Sequence, residues 1–186
     1  MNRFESWFCG TAYWRYLTQR QLIPWLVAGS ELGDHVLELG AGPGAATEEL
    51  RRRAARVTSL EYDPGLVERL VGRVSSTNGV VIQGDTAALP FANDTFSSAI
   101  AILMLHHLRS KELQDRAFAE ICRVLRPGGV FLAFEIQDGW LNRVGHIRST
   151  FVPVDPATVS AGLKAAGFSR AAADFWRSGF RIRALR

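Results

Sequence analysis

Short apolar segments of strand length alternate along the chain with longer segments whose apolar residues recur at helical spacing. The short segments predict seven strands: Val36–Leu39, Arg56–Glu61, Val80–Gln83, Ser98–Leu103, Val130–Glu135, Arg170–Phe175 and Phe180–Leu185. The longer segments predict four helices: Ala45–Arg53, Pro64–Val74, Lys111–Leu125 and Ala157–Ala166. Such alternation is typical of a mostly parallel sheet with helices on both faces. We therefore predict a doubly wound α/β fold with an antiparallel last strand.

Two regions depart from this alternation. Residues 1–33 form an N-terminal extension in which Gly10 and Pro24 punctuate two short predicted helices. The extension is rich in aromatic residues: Phe4, Trp7, Phe8, Tyr13, Trp14, Tyr16 and Trp25. The sequence of residues 138–156 shows no regular apolar spacing and predicts an irregular insertion after the fifth strand. Because the chain has no linker or internal repeat, residues 1–186 are predicted to form one domain with its core at 34–186.

Composition is that of a globular protein, because 47% of the 186 residues are hydrophobic and 22% are charged. The longest apolar run, Ala99–Leu105, is much shorter than the about 20 residues that a membrane-spanning helix needs. The N-terminus lacks the continuous apolar stretch of a secretory signal. Cys9 and Cys122 fit neither a disulfide framework nor a metal-binding spacing. We therefore expect a cytoplasmic protein without a transmembrane segment.

The net charge of +4 would permit a nucleic-acid partner, but the basic residues are scattered. The three arginines at 51–53 fall on a predicted helix, where a solvated face explains them. Arg181 and Arg183 alternate with apolar residues in the last predicted strand, which indicates a strand with one solvated face. No nucleic-acid partner is expected.

The first predicted strand runs into three glycines at alternate positions, Gly40, Gly42 and Gly44, and a predicted helix follows. Glycine has no Cβ, so the backbone can turn sharply there and a ligand can approach it closely. A strand that passes through such a turn into a helix forms a nucleotide site at its carboxyl end. The turn therefore predicts that a nucleotide binds here.

Carboxylates accompany three successive predicted strands: Glu38 lies within the first, Glu61 ends the second and Asp85 follows the third. Each acid alone would be explained as a cap, a turn residue or a solvated loop residue. Because the carboxyl ends of parallel strands converge at one edge of a sheet, the three together predict one crevice. In that crevice Glu61 could accept hydrogen bonds from a ribose, and Asp85 from an adenine amino group.

The ordered set of motifs resembles class I S-adenosylmethionine-dependent methyltransferases. Residues 38–44, Glu-Leu-Gly-Ala-Gly-Pro-Gly, are similar to the first motif of that family, and Glu61, Gly84-Asp85 and residues 123–129 follow in the family's order. Residues 87–91 and the His106-His107 pair resemble the small-molecule branch that includes ubiquinone and menaquinone biosynthesis enzymes. The resemblance covers about residues 34–186. It implies a Rossmann-like fold and S-adenosylmethionine as cofactor, with no metal.

The resemblance also implies which residues contact each part of the cofactor. The methionine end is implied to lie against Glu38, Gly40, Ala41, Gly42, Gly44, Ile102 and Leu103. The ribose is implied to bind Glu61, and the adenine is implied to lie against Tyr62, Asp85 and Thr86.

Two other interpretations stay open. Residues 40–45 also satisfy the G-x-G-x-x-A pattern of NAD(P)-binding oxidoreductases. Against that interpretation, Glu38 and Asp85 have no place in the pattern, and 186 residues leave little room for a substrate domain. The other interpretation is a non-catalytic protein that binds S-adenosylmethionine as a sensor or partner subunit.

Methyl transfer from a sulfonium mainly requires alignment of the reactants, and a base only where the acceptor keeps its proton at neutral pH. His106 and His107, expected at the end of the fourth strand, are candidate bases because imidazole titrates near neutral pH. Successive residues at a strand end point in opposite directions, so only one of the two is expected to face the substrate. Related enzymes imply an acid after the fifth strand as the partner of such a base. Glu135 occupies that place, so we predict a His–Glu pair.

The aromatic extension is expected to pack on the sheet and to close over the cofactor as a lid. The segment His146–Pro153, with Phe151, is expected to form another wall of the pocket. Aromatic and apolar walls favour a small hydrophobic acceptor such as a phenol, quinone, polyketide or lipid-like metabolite. A homodimer is one of the assemblies that the sequence allows.

Overall fold

The computed structural model describes residues 7–74, 78–147, 149–177 and 179–186, so Phe4 of the aromatic extension lies outside the described residues. The strands are β1 His35–Leu39, β2 Arg56–Glu61, β3 Gly79–Gln83, β4 Phe96–Ile102, β5 Leu125–Ile136, β6 Arg170–Trp176 and β7 Gly179–Leu185. The α-helices are α1 Ala12–Leu17, α2 Ile23–Val27, α3 Thr47–Arg53, α4 Pro64–Val74, α5 Lys111–Val124, α6 Trp140–Gly145 and α7 Val159–Ala165. Within these ranges, no helix combines the length and the apolar composition that crossing a bilayer would require.

The strands form a seven-stranded sheet in the order β3-β2-β1-β4-β5-β7-β6. The first five strands pair in parallel, and β7 lies antiparallel between β5 and β6. The predicted sheet, mostly parallel with an antiparallel last strand, is therefore confirmed. The strand order reverses between β1 and β4, and ligands of open α/β sheets bind outside the carboxyl ends of the strands at such a point.

Helices cover both faces of the sheet, as predicted. On one face, Leu26 of α2 and Leu50 of α3 pack in a buried cluster with Leu132 of β5. On the other face, Phe118 of α5 packs in a second cluster with Phe131 of β5. Neighbouring residues of β5 thus serve opposite faces, which is the period of two that a strand imposes.

From Ala12 to Val27 the N-terminal extension folds as one helical run, so the predicted break at Pro24 is wrong. The predicted break at Gly10 is confirmed, because a turn there separates the helical residues 7–9 from α1. A π-helical turn, Thr18–Leu22, joins α1 directly to α2. Pro24 falls in the first turn of α2, at the transition from π-helical to α-helical bonding, where its missing N–H is tolerated. Trp25 stacks on Trp176 of β6 with ring centroids 4.7 Å apart and meets Phe134 of β5 edge-on. Aromatic packing therefore holds the run against the sheet.

The insertion after β5 is not wholly irregular, which corrects the prediction for residues 138–156. It contains the six-residue helix α6. Arg143 of this helix forms an ion pair with Asp138 at 2.7 Å. The helix is too short for its apolar spacing to stand out in the sequence.

Strand β5 begins earlier than predicted. Leu125 already pairs with Phe96 of β4, and regular pairing resumes where Val130 meets Ser98. The intervening residues include Pro127, Gly128 and Gly129, which therefore form an enlarged bulge inside the strand.

Candidate active site

The turn after β1 depends on residues without a Cβ. Gly40, Gly42 and Gly44 have φ angles of 65°, 54° and 82°, in the left-handed region that other L-residues rarely adopt. A Cβ added to Gly40 would lie 2.2 Å from Cγ of Met104, and one added to Gly44 would lie 2.6 Å from Cδ1 of Leu70. At Gly42, which borders a cavity, an added Cβ meets nothing closer than 4.0 Å. The turn is thus tightly packed on one side and open on the other.

Glu38 lies buried beneath this turn, in the wall of the same cavity. Its Oε2 accepts hydrogen bonds from Oγ1 of Thr47 at 2.7 Å and from Oγ of Ser59 at 2.6 Å. Burial raises the pKa of Glu38 from its ordinary 4.5 to about 7, although the two hydroxyl groups oppose the rise. A cation bound beside this carboxyl would favour its ionised form.

Glu61, at the end of β2, holds the glycine turn in place. Its Oε2 accepts the N–H of Gly42 at 2.8 Å, and its Oε1 accepts the N–H groups of Tyr62 and Asp63 at 2.9 Å each. Three of the about four acceptor positions of this carboxylate are therefore used by the backbone. Glu61 therefore has a role that the sequence did not suggest, because it shapes the glycine turn. Its contact with a ribose stays a prediction.

The predicted cofactor residues meet around one cavity of about 1130 Å³ outside the carboxyl ends of β1 and β4. All of them border this cavity except Gly44, which packs behind the turn. Tyr62 is 66% exposed, so its ring is accessible at the rim. Asp85 accepts the N–H of Ala87 at 2.8 Å and so also initiates a turn, while the neighbouring Thr86 is buried.

The strand β4 ends at a residue with an unfavourable backbone conformation. Leu103 has a φ of 53°, and its N–H donates to the carbonyl of Phe134 at 2.9 Å. A non-glycine residue in this region costs on the order of 1 kcal/mol or more, and such residues cluster at functional sites. The bend redirects the chain so that Met104 packs against the turn at Gly40.

Behind another part of the cavity wall, Glu135 of β5 is fully buried and organises the chain that follows β4. Its Oε1 accepts the N–H groups of Met104 at 3.0 Å and Leu105 at 2.7 Å. Its Oε2 lies 2.5 Å from Nδ1 of His106, which is also buried. The structure therefore brings together the two residues of the predicted His–Glu pair.

The two adjacent histidines are arranged differently from the prediction. His106 and His107 end a single 3₁₀ turn, Leu105–His107, instead of lying at a strand end. Successive residues of a 3₁₀ helix are separated by about 120°, not by the near-opposite directions of a strand. Both histidines border the cavity, and the expectation that only one of them faces the substrate stays a prediction.

Two further segments complete the cavity wall. Trp14, Leu17 and Thr18 of the N-terminal run border it, and Oγ1 of Thr18 is buried without a hydrogen-bond partner among the described residues. A polar atom in that position is one that a ligand could satisfy. On the side of α6, His146 borders the cavity, and Phe151 stacks behind it with ring centroids 4.4 Å apart.

A family model described as a methyltransferase domain matches residues 37–133, just over half of the chain. The chain belongs to the class I S-adenosylmethionine-dependent methyltransferases. Its curated relatives include demethylmenaquinone methyltransferases. One from Thermobifida fusca is 35% identical over 130 residues, which are 67% of this chain and 50% of that protein. One from Tropheryma whipplei is 30% identical over 130 residues, which are 70% of this chain and 51% of that protein.

This chain thus spans about half the length of the curated relatives it matches. Among solved structures, the PH0226 protein from Pyrococcus horikoshii OT3 superposes with a TM-score of 0.81 at 17% identity. The match covers 96% of this chain and 93% of that one. At this identity the likeness shows the fold alone, which is the Rossmann-like methyltransferase architecture.

The methyltransferase residues in this cavity fit S-adenosylmethionine. Open space above Gly42 leaves the backbone accessible, and the buried carboxyl of Glu38 suits the positively charged part of the cofactor. The cavity exceeds the about 300–1,000 Å³ of common small-molecule sites, so it has room for a second molecule. The family match argues against the NAD(P) oxidoreductase interpretation, whose pattern gave Glu38 no role.

Three residues that shape this methyltransferase site were missed in the sequence. Ser59 could have been found, because the parallel register of β1 and β2 sets it opposite Glu38. Thr47, at the start of α3, offers a weaker signal of the same kind. Met104 offers none, because its approach to the glycine turn depends on the unusual backbone of Leu103.

Proposed function

We propose that this protein transfers the methyl group of S-adenosylmethionine to a small hydrophobic acceptor. The observation that carries the proposal is one cavity bordered both by the glycine turn with Glu38, here called the cofactor end, and by His106, paired with Glu135, here called the acceptor end. Methyl transfer needs this arrangement, because the donor and the nucleophile must meet in line with water excluded.

At the cofactor end, the side chains and backbone bind and orient S-adenosylmethionine. When bound, S-adenosylmethionine supplies an activated methyl group on a positively charged sulfur. Glu38, held by two hydroxyl groups, receives the positively charged methionine end, and the open backbone at Gly42 lies beneath it. Glu61 binds the ribose, and the exposed Tyr62 and Asp85 flank the adenine.

At the acceptor end, His106 is the proposed general base. Glu135 accepts the Nδ1–H of His106, which fixes the ring and leaves Nε2 as the basic atom. His107 borders the same part of the cavity and is the second candidate. A base is required if the acceptor is a phenol or a carbon acid, because both keep their proton at neutral pH.

The acceptor is proposed to resemble a quinone. The curated relatives named above are demethylmenaquinone methyltransferases. In this chain, the acceptor end is bordered by large apolar side chains such as Leu108, Phe134 and Trp176, which suits a hydrophobic ring. The N-terminal run, through Trp14 and Thr18, is proposed to act as the lid over both ligands.

Calorimetry with S-adenosylmethionine, its demethylated product and NAD tests the cofactor. We expect one site for each of the first two and none for NAD, and binding of NAD alone would overturn the proposal. Transfer of a radiolabelled methyl group to demethylmenaquinone then tests the acceptor, with His106→Gln as the variant that keeps cofactor binding and loses transfer. If the cofactor binds but neither demethylmenaquinone nor a metabolite extract becomes labelled, the sensor interpretation is favoured.

A further inference from the structure

Three of the four histidines of this chain meet at the acceptor end of the cavity. One ring nitrogen each from His106, His107 and His146 can be chosen so that all three nitrogens lie within 4.8 Å of one another. His146 comes from the end of α6, 40 residues along the chain from His106, so the cluster is made by the fold and not by sequence proximity. All three rings border the cavity.

The outer nitrogen of each ring faces an oxygen atom. Nδ1 of His106 lies 2.5 Å from the carboxylate of Glu135, Nδ1 of His146 lies 2.6 Å from its own helix at the carbonyl of Asn142, and Nδ1 of His107 lies 3.2 Å from the carbonyl of Thr150. A carbonyl oxygen only accepts hydrogen bonds, so Nδ1 carries the hydrogen and a neutral ring has its lone pair on Nε2. This arrangement is the one that metal-binding histidines show, with an acceptor fixing the tautomer and orientation of each ring.

The inner nitrogens are close enough to share a ligand. Nε2 of His106 and Nε2 of His146 are 3.2 Å apart. Two lone pairs facing each other at this distance repel unless a proton or a cation lies between them. Nitrogen ligands of a tetrahedral zinc ion, each about 2.0–2.1 Å from the metal, are separated by about 3.3 Å.

We propose that His106, His107 and His146 bind a divalent transition-metal ion, of which zinc is the best fit. Imidazole ligands favour zinc, copper, nickel and iron, whereas magnesium and calcium prefer sets of oxygen ligands. Three protein ligands leave one coordination position for water or substrate, as in catalytic zinc sites. Glu135 is the outer partner that orients His106. The proposal departs from the metal-free site that the sequence predicts.

What the ion would do rests on the proposed function. A hydroxyl oxygen of the acceptor that coordinates the ion would lose its proton to solvent and keep the electron pair, because the cation lowers the pKa of the hydroxyl. The Nε2 atom of His106 would then be a ligand, and it could not act as a base at the same time. Binding of the ion itself does not depend on methyl transfer and can be measured without it.

Calorimetric titration of the metal-stripped full chain with Zn²⁺, in the absence of cofactor and acceptor, tests the site. We expect one ion per chain, and with Co²⁺ the visible absorption bands of a four-coordinate site. His146→Ala should abolish both signals, and Glu135→Gln should weaken zinc binding about 10- to 100-fold. His35→Gln is the matched control because it removes the one histidine outside the cluster, and it should bind zinc like the parent protein.

Circular dichroism of each variant establishes that it is folded. If Glu135→Gln does not fold, His146→Ala still tests the metal site, because His146 is only half-buried and its replacement disturbs the fold less. Absence of binding, unchanged binding in His146→Ala, or equal loss in His35→Gln would each overturn the site. S-adenosylmethionine binding, measured on the same samples, separates the two proposals. If the cofactor binds and zinc does not, only the metal site is overturned. If zinc binds and the cofactor does not, only the proposed function is overturned.

Discussion

The two ends of the cavity are built in different ways. At the cofactor end, a single strand–turn–helix segment makes the site, and glycines at 40, 42 and 44 determine its shape through their backbone angles. At the acceptor end, His106, Glu135 and His146 come from three separate segments, and their side chains make the site. A turn built on left-handed backbone angles is strained by any added Cβ, whereas a site made of side chains can lose one group and keep its frame. Substitutions in the glycine turn should therefore affect fold and binding together, whereas a change at His106 should affect turnover alone.

The largest effect is expected for His106→Gln. If His106 is the base, methyl transfer should fall about 10²- to 10⁴-fold, because that is the usual contribution of a positioned base. The dissociation constant of S-adenosylmethionine should stay within about twofold, since the glycine turn and Glu38 are held by hydrogen bonds to other residues. Steady-state turnover with demethylmenaquinone and calorimetry with the cofactor measure the two quantities.

His35→Gln is the matched control for this substitution. His35 is buried and bonds to Oγ1 of Thr58 at 3.0 Å, outside the residues that border the cavity. The variant should keep turnover within a few-fold even if the protein is less stable. A loss of cofactor affinity in His106→Gln as large as its loss of turnover would show that the two ends are not separable.

The next effect is that of Gly40→Ala on the cofactor end. The new Cβ would lie 2.2 Å from Cγ of Met104, at a residue whose φ is 65°. Strain and overpacking together should lower the free energy of unfolding by roughly 2 to 5 kcal/mol. Cofactor binding should be lost in the same variant. Urea denaturation and calorimetry measure both.

Substitutions at two other glycines, Gly42 and Gly72, serve as comparisons for Gly40→Ala. Gly42→Ala adds an unfavourable φ without a clash, so its loss of stability should be smaller. Gly72, inside α4, has no atom within 4 Å of a new Cβ, and Gly72→Ala should stabilise the protein by about 0.5–1 kcal/mol. Equal losses in all three variants would contradict a site defined by its backbone.

Glu38→Gln should change how stability depends on pH. The pKa of Glu38 is raised to about 7 in the folded protein and is near 4.5 when unfolded, so the folded state binds the proton more tightly. The contribution of Glu38 to the free energy of unfolding is therefore fully present below about pH 4.5 and is lost as the pH rises through 7. The loss amounts to about 3 kcal/mol. Glutamine cannot ionise, so the stability of Glu38→Gln relative to the parent should rise by that amount over this range.

Urea denaturation at a series of pH values measures this difference, and subtracting the two proteins removes the other titrating groups. A difference that does not vary with pH would mean that the hydroxyl groups of Thr47 and Ser59 offset burial completely. A difference that falls with pH would mean that they outweigh it.

The contrast between the two ends also explains how far the sequence could predict the site. The glycine turn and the acids at 38, 61 and 85 were predictable, because local spacing and the convergence of parallel strands determine where they lie. The placement of His106 and His107 at a strand end was wrong, because the chain leaves β4 through a left-handed leucine, Leu103, which no sequence pattern signals. His146 was expected only as part of a wall. Its approach to His106 depends on the short helix α6, whose length is below what hydrophobic periodicity reveals.

The smallest effect is expected for Tyr62→Ala, at the rim of the cofactor end. The ring is 66% exposed, so the free energy of unfolding should change by about 0.5 kcal/mol or less. If the ring flanks the adenine, its loss should weaken S-adenosylmethionine binding by roughly two- to tenfold, the usual worth of an aromatic contact. Phe175→Ala removes a ring that is 65% exposed on β6 and does not border the cavity, so it should leave the affinity unchanged. An equal loss of affinity in both variants would show that the effect is not specific to Tyr62. Unchanged affinity in Tyr62→Ala would show that this side chain, unlike the backbone of the turn, is dispensable.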